Sequence, residues 1–292
     1  MTINGFVVDD AVVPPEHLVR AAPAKDSIAA LDRTSWVTPE EATIMLDDDY
    51  VLSVTIGAET RAYPLRIMVW HEIVNDLFGE RPITVTYSAL SGSGVVFDPG
   101  VNPDGTRRMF GVSGLLYNSC LLMYDRATES LWSQLRMTGV TGATGDEELV
   151  SLPSRRMKWA AWKKLFPTGK VLSTDTGHDA DYAGDWPYGD YEETKATIFP
   201  FDINRDEFGT KERMIAMKEG WAARSWPLET IRKKKQLYDA IGARPINVVY
   251  DETTDDVVVT DIMTGEPLPT VSVYWFAWQA FYPETSVWMP LR

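Results

Sequence analysis

YVLSVTIGAETRAYPLRIM, residues 50–68, is answered 163 residues later by RMIAMKEGWAARSWPLETI, residues 213–231. At the same offset FGERPITVTY (78–87) falls on IGARPINVVY (241–250), so that Pro64 meets Pro227, Leu65 meets Leu228, Gly79 meets Gly242, Pro82 meets Pro245 and Tyr87 meets Tyr250. Alternation on either side of Gly57 predicts a hairpin of Tyr50 to Ile56 with Thr60 to Tyr63. Pro64, followed by Ile67, Val69, Trp70, Ile73, Val74 and Leu77 at helical spacing, predicts a helix that runs on toward Gly79. Ile83, Val85 and Tyr87 then read as a strand that breaks at the small residues of Ser88 to Gly94 and resumes at Val95 to Phe97. A hairpin, a helix and a strand pair that keep register twice predict two copies of one unit. SLW at 130–132 and SVW at 286–288 extend the match with a smaller offset.

The fold class expected is therefore α+β: two pseudo-symmetric repeats of mainly antiparallel strands with short helices, forming one compact domain. The repeats cover 46–137 and 209–292 of a single 46–292 domain. A helix and an acidic loop, 138–208, join them, and residues 1–45 read as an N-terminal arm or cap. PEEATIMLDDD, from Pro39, predicts a further short helix. MKWAAWKKLFP predicts an amphipathic helix with Trp159, Trp162 and Phe166 on one side.

Composition narrows the function classes. With 292 residues, 45% apolar content and 11 Trp, 12 Tyr and 10 Phe, the chain can fill a substantial core. A net charge of -14 argues against nucleic acid and anionic membrane surfaces as partners. The expected partner is a small-molecule substrate. Without an apolar run of membrane-spanning length or the pattern of a secretory leader, and with one cysteine, the expected location is cytoplasmic.

YPLRIMVWHEIVND (63–76), VTYSALSGSGVVFD (85–98), FGVSGLLYNSCLLMYDRATESLWSQL (110–135), VLSTDTG (171–177) and YWFAWQAFYPETSVW (274–288) resemble the DUF3179 family of bacterial and archaeal proteins over roughly residues 35–292. The resemblance implies positions rather than an activity. Family members usually carry Cys-x-x-Cys at the bend, where this chain has Ser88 and Ser91, and Cys120 stands where the family more often shows a polar residue. Any chemistry needing that thiol pair, for a metal or a disulfide, would be lost here.

The two copies differ where polar chemistry would sit. His71, Glu72 and Asn75 become Lys234, Lys235 and Tyr238, and Ser88 and Ser91 become Asp251 and Thr254. His71 and Glu72 suit acid–base work, with Tyr117 and Arg126 as further catalytic candidates. Trp70, Asn75, Tyr87, Ser88, Ser91, Asn118, Cys120, Trp132 and Gln134 are the expected substrate-binding residues. The bland readings are a satisfied structural histidine, a turn at Asp125-Arg126 and an inert buried Cys120. In the loop DADYAGDWPYGD, Asp179, Asp181, Gly184 and Asp190 echo a calcium loop, but Ala183 breaks the pattern; no metal and no cofactor is expected. The function expected is an enzyme acting on a small, largely apolar organic substrate by non-redox acid–base and shape catalysis, as an isomerase, cyclase or lyase. The alternatives are a metal- or thiol-dependent oxidoreductase and a non-catalytic binding protein. His71, Glu72, Asn75, Ser88, Ser91, Tyr117, Asn118 and Arg126 are expected to converge on one cavity.

Overall fold

The computed structural model describes residues 1–289. Strands dominate it. Near the N-terminus, β1 (Thr2–Ile3) and β2 (Phe6–Val7) form a hairpin around Asn4 and Gly5, and β3 (Leu18–Arg20) and β4 (Trp36–Val37) follow. This segment is woven into the body: Phe6, Val8, Val13 and Leu18 pack on Leu115, Leu122, Tyr124 and Leu131. The PEEATIMLDDD segment is a series of turns rather than the predicted helix. Its Thr38 N–H and Leu46 N–H bond to the carboxylates of Glu41 and Asp49, so acidic side chains compete locally for backbone donors.

The first large unit opens with the hairpin β5 (Tyr50–Ile56) and β6 (Glu59–Pro64), turning at Gly57 with φ of 60°. Helix α1 (Leu65–His71) starts directly after Pro64. It ends far short of Gly79, because Glu72 takes φ of 58° and the chain continues as β7 (Ile73–Phe78). The Ile73-Val74 pair is buried on both faces of a strand, a pattern that also satisfies helical spacing. β8 (Arg81–Ser88) and β9 (Ser93–Asp98) complete an antiparallel meander. β10 (Phe110–Tyr117), β11 (Cys120–Asp125), β12 (Leu131–Ser133) and β13 (Thr138–Gly139) form a five-stranded sheet with β3 at its edge.

β14 (Val150–Leu152) then pairs with β9, and β15 (Arg155–Lys158) pairs antiparallel with β5. Helix α2 (Trp159–Leu165) leads into β16 (Lys170–Leu172), which lies parallel to β6. Beyond a long irregular segment come β17 (Arg213–Glu219), β18 (Ala222–Pro227), α3 (Leu228–Lys234), β19 (Gln236–Ile241), β20 (Arg244–Asp251) and β21 (Asp256–Asp261). β22 (Val271–Tyr274), α4 (Trp275–Phe281) and β23 (Ser286–Val287) finish the chain, with β22 antiparallel to β17 and β23 parallel to β18.

The molecule is thus a compact, mostly β domain with four short α-helices among the described residues, less helical than the α+β expectation. Each helix has seven residues, too few to be stable without tertiary packing. In α2 and α4 that packing is aromatic: Trp159 stacks on Trp162, and Trp275 and Trp278 are fully buried. The SLW and SVW segments do not correspond. Leu131–Ser133 is antiparallel to β11, whereas Ser286–Val287 is parallel to β18. Across the middle of the molecule, Lys158 N–H donates to Thr254 O (3.2 Å), Tyr274 N–H donates to Ser91 O (3.0 Å), and Arg155 pairs with Asp256 (2.6 Å).

Candidate active site

Where β5, β8 and β15 approach the segment after β16, a cleft of about 260 Å³ opens, lined by Tyr50, Leu65, Tyr87, Arg156 and Trp186. Tyr50 is fixed by its hydroxyl, which donates to Asp255 Oδ2 (2.5 Å), and Asp255 is itself held by Arg232 and Tyr250. The Arg156 guanidinium lies 3.4 Å over the centre of the Tyr50 ring. A stacked guanidinium keeps its N–H edge free. Arg156 has no carboxylate partner among the described residues, and burial, followed by the Arg213 charge, pulls its pKa down. Trp186 stands edge-on to Tyr87, and its buried indole N–H has no acceptor among the described residues. Asp48, Asp49, Asp190, Glu192 and Glu193 form the rim.

The acidic, aromatic loop is a strap across this side of the molecule. Tyr182 reaches His71, Trp186 reaches Tyr87, and the Tyr191 hydroxyl donates to Leu90 O (2.9 Å). Tyr188, between them, packs against both large apolar clusters. Asp181 is used to cap the Gly184 N–H, and no group of three or more potential metal ligands is gathered among the described residues.

His71 and Glu72 lie under the strap at the end of α1. His71 Nδ1 is 2.7 Å from the carbonyl oxygen of Ala29, which can only accept, so Nδ1 carries the proton. Nε2 then accepts from the Tyr182 hydroxyl (2.5 Å), which in turn accepts from Thr176 Oγ1 (2.7 Å). Burial holds the His71 pKa below the usual range, so the ring is neutral at pH 7. Glu72 is buried, and its carboxyl makes no ion pair or hydrogen bond among the described residues; burial pushes its pKa up to about 7. The negative form of Glu72 helps, after burial, to push the Tyr188 phenol up to about 12.

The bend between β8 and β9 is a closed network. Ser91 Oγ is 2.7 Å from Ser93 Oγ, Ser93 donates to Gln134 Oε1 (2.8 Å), and the Cys120 thiol donates to the same oxygen (3.2 Å). Gln134 Nε2 donates to Thr86 Oγ1 (2.9 Å) and Ser93 O (3.3 Å). Ser88 contributes its carbonyl, accepting from Ser91. Every member is occupied, and burial pushes the Cys120 thiol up to about 11, so it stays protonated.

The remaining expected site residues do not line one cavity with these. Asn75 spends its whole amide on Asp32, Phe110 and Thr84, stitching β7 to β8 and β10. Tyr117 and Asn118 turn toward α4, Tyr117 edge-on to Phe281 and Asn118 accepting from Asp202 N–H. Arg126 pairs with Asp26 and Asp32 beside a separate hollow of about 380 Å³ near His178. Trp132 donates to Asp125 (3.0 Å) in the core, and Trp70 packs on the core cluster around α1. The eight residues expected to converge thus divide among the strap, the bend, the β7 seam, the α4 side and the Arg126 hollow. Tyr50, Arg156, Trp186 and Tyr188 were not singled out by the sequence. A pair of adjacent arginines, Arg155 and Arg156, in the short strand before an aromatic helix, and the density of aromatics in the acidic loop, were the available signals.

A family model described as a protein of unknown function (DUF3179) matches residues 25–285. The chain belongs to this family. No curated protein and no solved structure matches it. In this DUF3179 chain the bend carries hydroxyls, which bond to one another and to Gln134.

Proposed function

We propose that this protein is an enzyme that rearranges a small, largely apolar organic substrate by acid–base chemistry without net redox change, as an isomerase, cyclase or lyase. The observation that carries the proposal is Glu72, a largely buried carboxyl, 9% exposed, beside the aromatic strap with no ion-pair or hydrogen-bond partner among the described residues. Buried polar groups are normally satisfied, so an unmatched acid beside a cleft points to chemistry. With a pKa of about 7 it can give or take a proton at neutral pH. Its neighbour His71 is neutral, with the Nε2 lone pair covered only by Tyr182. Lifting the strap would free a base at His71 beside an acid at Glu72, two groups whose environments drive their pKa values in opposite directions. The saturated, high-pKa Cys120 weighs against thiol chemistry.

A related reading concerns the architecture: the two units are divergent copies of one repeat. In its support, Pro64 precedes α1 as Pro227 precedes α3, and Glu72 and Lys235 end those helices at φ of 58° and 65°. β15, α2 and β16 stand to β5 and β6 as β22, α4 and β23 stand to β17 and β18. Only the first copy has the acid and the histidine, which makes the second a scaffold. A cytoplasmic location and a small-molecule partner belong to the same proposal.

The test is to incubate wild-type protein and Glu72→Gln with a library of small apolar metabolites and to separate products by mass and retention. Wild type is expected to yield an isomer or a product lighter by one water, and Glu72→Gln to be slower by about 10² to 10⁴-fold. A product changed by two hydrogens or one oxygen would overturn the reading in favour of an oxidoreductase. Ligands that bind and return unchanged would favour a binding protein.

A further inference from the structure

We infer that the Arg156 cleft holds a zwitterionic α-amino acid with a large aromatic or branched apolar side chain. The inference names the substrate class for the site proposed above and rests on that reading only in taking the cleft as the substrate's place. The binding it requires involves no turnover.

Three features of the cleft specify this ligand. The first is Arg156, whose guanidinium has one face against the Tyr50 ring and forms no ion pair among the described residues. An arginine held flat on a ring offers a planar fork that matches a carboxylate. Trp186 belongs to the same lining.

The second feature is the mouth, which carries the opposite charge. Asp48 and Asp49 are already paired, with Lys158 and Arg66, and Glu192 stands 4.0 Å from Arg213. Asp190 and Glu193 have no cationic partner among the described residues and are exposed. A plain carboxylate would meet these carboxylates and the overall charge of -14 before reaching Arg156. A ligand bearing an ammonium group together with its carboxylate satisfies both ends.

The third is the middle of the cleft, where Leu65, Tyr87 and Trp186 present apolar and aromatic surface between the two charged ends. About 260 Å³ is less than the usual pocket for a drug-sized molecule and fits a compact ligand.

Isothermal titration of the full chain with L-phenylalanine and L-leucine, alongside 3-phenylpropionate and 2-phenylethylamine, tests the inference. The amino acids are expected to bind, and each single-charge analogue to bind at least about tenfold more weakly, as expected when one partner of a charged pair is missing. Arg156→Gln should weaken L-phenylalanine by at least about tenfold while leaving 2-phenylethylamine unchanged. Asp190→Asn with Glu193→Gln, on the exposed rim, should weaken the amino acid but not 3-phenylpropionate. Absence of amino-acid binding to wild type, single-charge analogues that bind as tightly, or an unchanged affinity in either variant would overturn it. Glu72 lies outside the cleft lining, so Glu72→Gln should retain binding; amino-acid binding with turnover unchanged in Glu72→Gln would sink the acid–base proposal alone, whereas turnover lost in Glu72→Gln with no amino-acid binding to wild type would sink this inference alone.

Discussion

His71 and Glu72 are neighbours in the chain with opposite fates. Both histidine nitrogens are engaged, so His71→Ala would remove the acceptor of the Tyr182 hydroxyl and the donor to the Ala29 carbonyl and leave a cavity under the strap. The expected loss is roughly 2 to 4 kcal/mol in chemical denaturation, above the 1 to 2 kcal/mol appropriate to a single partly buried contact. Glu72 should instead make stability depend on pH. Its folded pKa of about 7 exceeds the ordinary carboxyl value of 4.5, so between those values the folded state keeps a proton that the unfolded chain has released. Its contribution is fully present below pH 4.5 and is lost as pH rises through 7. Glu72→Gln should flatten that slope and stabilise the protein above pH 7 by a few kcal/mol at most, the order implied by the shift. A wild-type denaturation midpoint with the same pH profile as the variant would remove Glu72 from this role.

At the scale of the elements, the hairpins, the proline-started helices and the break at Ser88 to Gly94 were legible because Gly57, Pro64 and Pro227 impose backbone geometry locally. The end of α1 was not. Ile73, Val74 and Leu77 fit both a helical face and a strand buried on two sides, and only the packing of β8 against β7 decides between them. Arg156 was invisible for a related reason: what matters about it is that it forms no ion pair among the described residues, which only three-dimensional neighbours reveal. The bend offers a test of how tightly the elements close on each other. Gly92 has φ of 62°, and a Cβ there would sit 2.6 Å from Arg213 and 2.7 Å from Tyr274. Gly79 has φ of 61° with open space around it. Gly79→Ala should cost about 1 kcal/mol from backbone strain alone, and Gly92→Ala clearly more. Equal losses by thermal unfolding would mean that the Arg213 and Tyr274 contact yields freely.

For the whole molecule, the repeated register was readable at a distance of 163 residues, yet the way the units close on each other was not, since β15, α2 and β16 are separated in the chain from the hairpin they complete. The segment 1–172 expressed alone lacks Thr254 and Tyr274, the partners of Lys158 and Ser91. It is expected to aggregate or to unfold without a cooperative transition, and to be rescued by co-expression with 209–292. A cooperative melt of the isolated segment would sink this expectation.

The Ser91 carbonyl receives its hydrogen bond from Tyr274, a residue made 183 positions later. At a synthesis rate of about 5 to 20 residues per second, a newborn chain waits roughly 10 to 40 s between making the bend and making the strand that closes it. Throughout that interval Leu90 and Phe97 lack α4, with which they share a core cluster, and for roughly the first half of it they also lack the Tyr191 strap. The yield of folded protein is therefore expected to respond to the speed of translation before residue 274 more than to codon choice after it, as measured by soluble expression of synonymous variants.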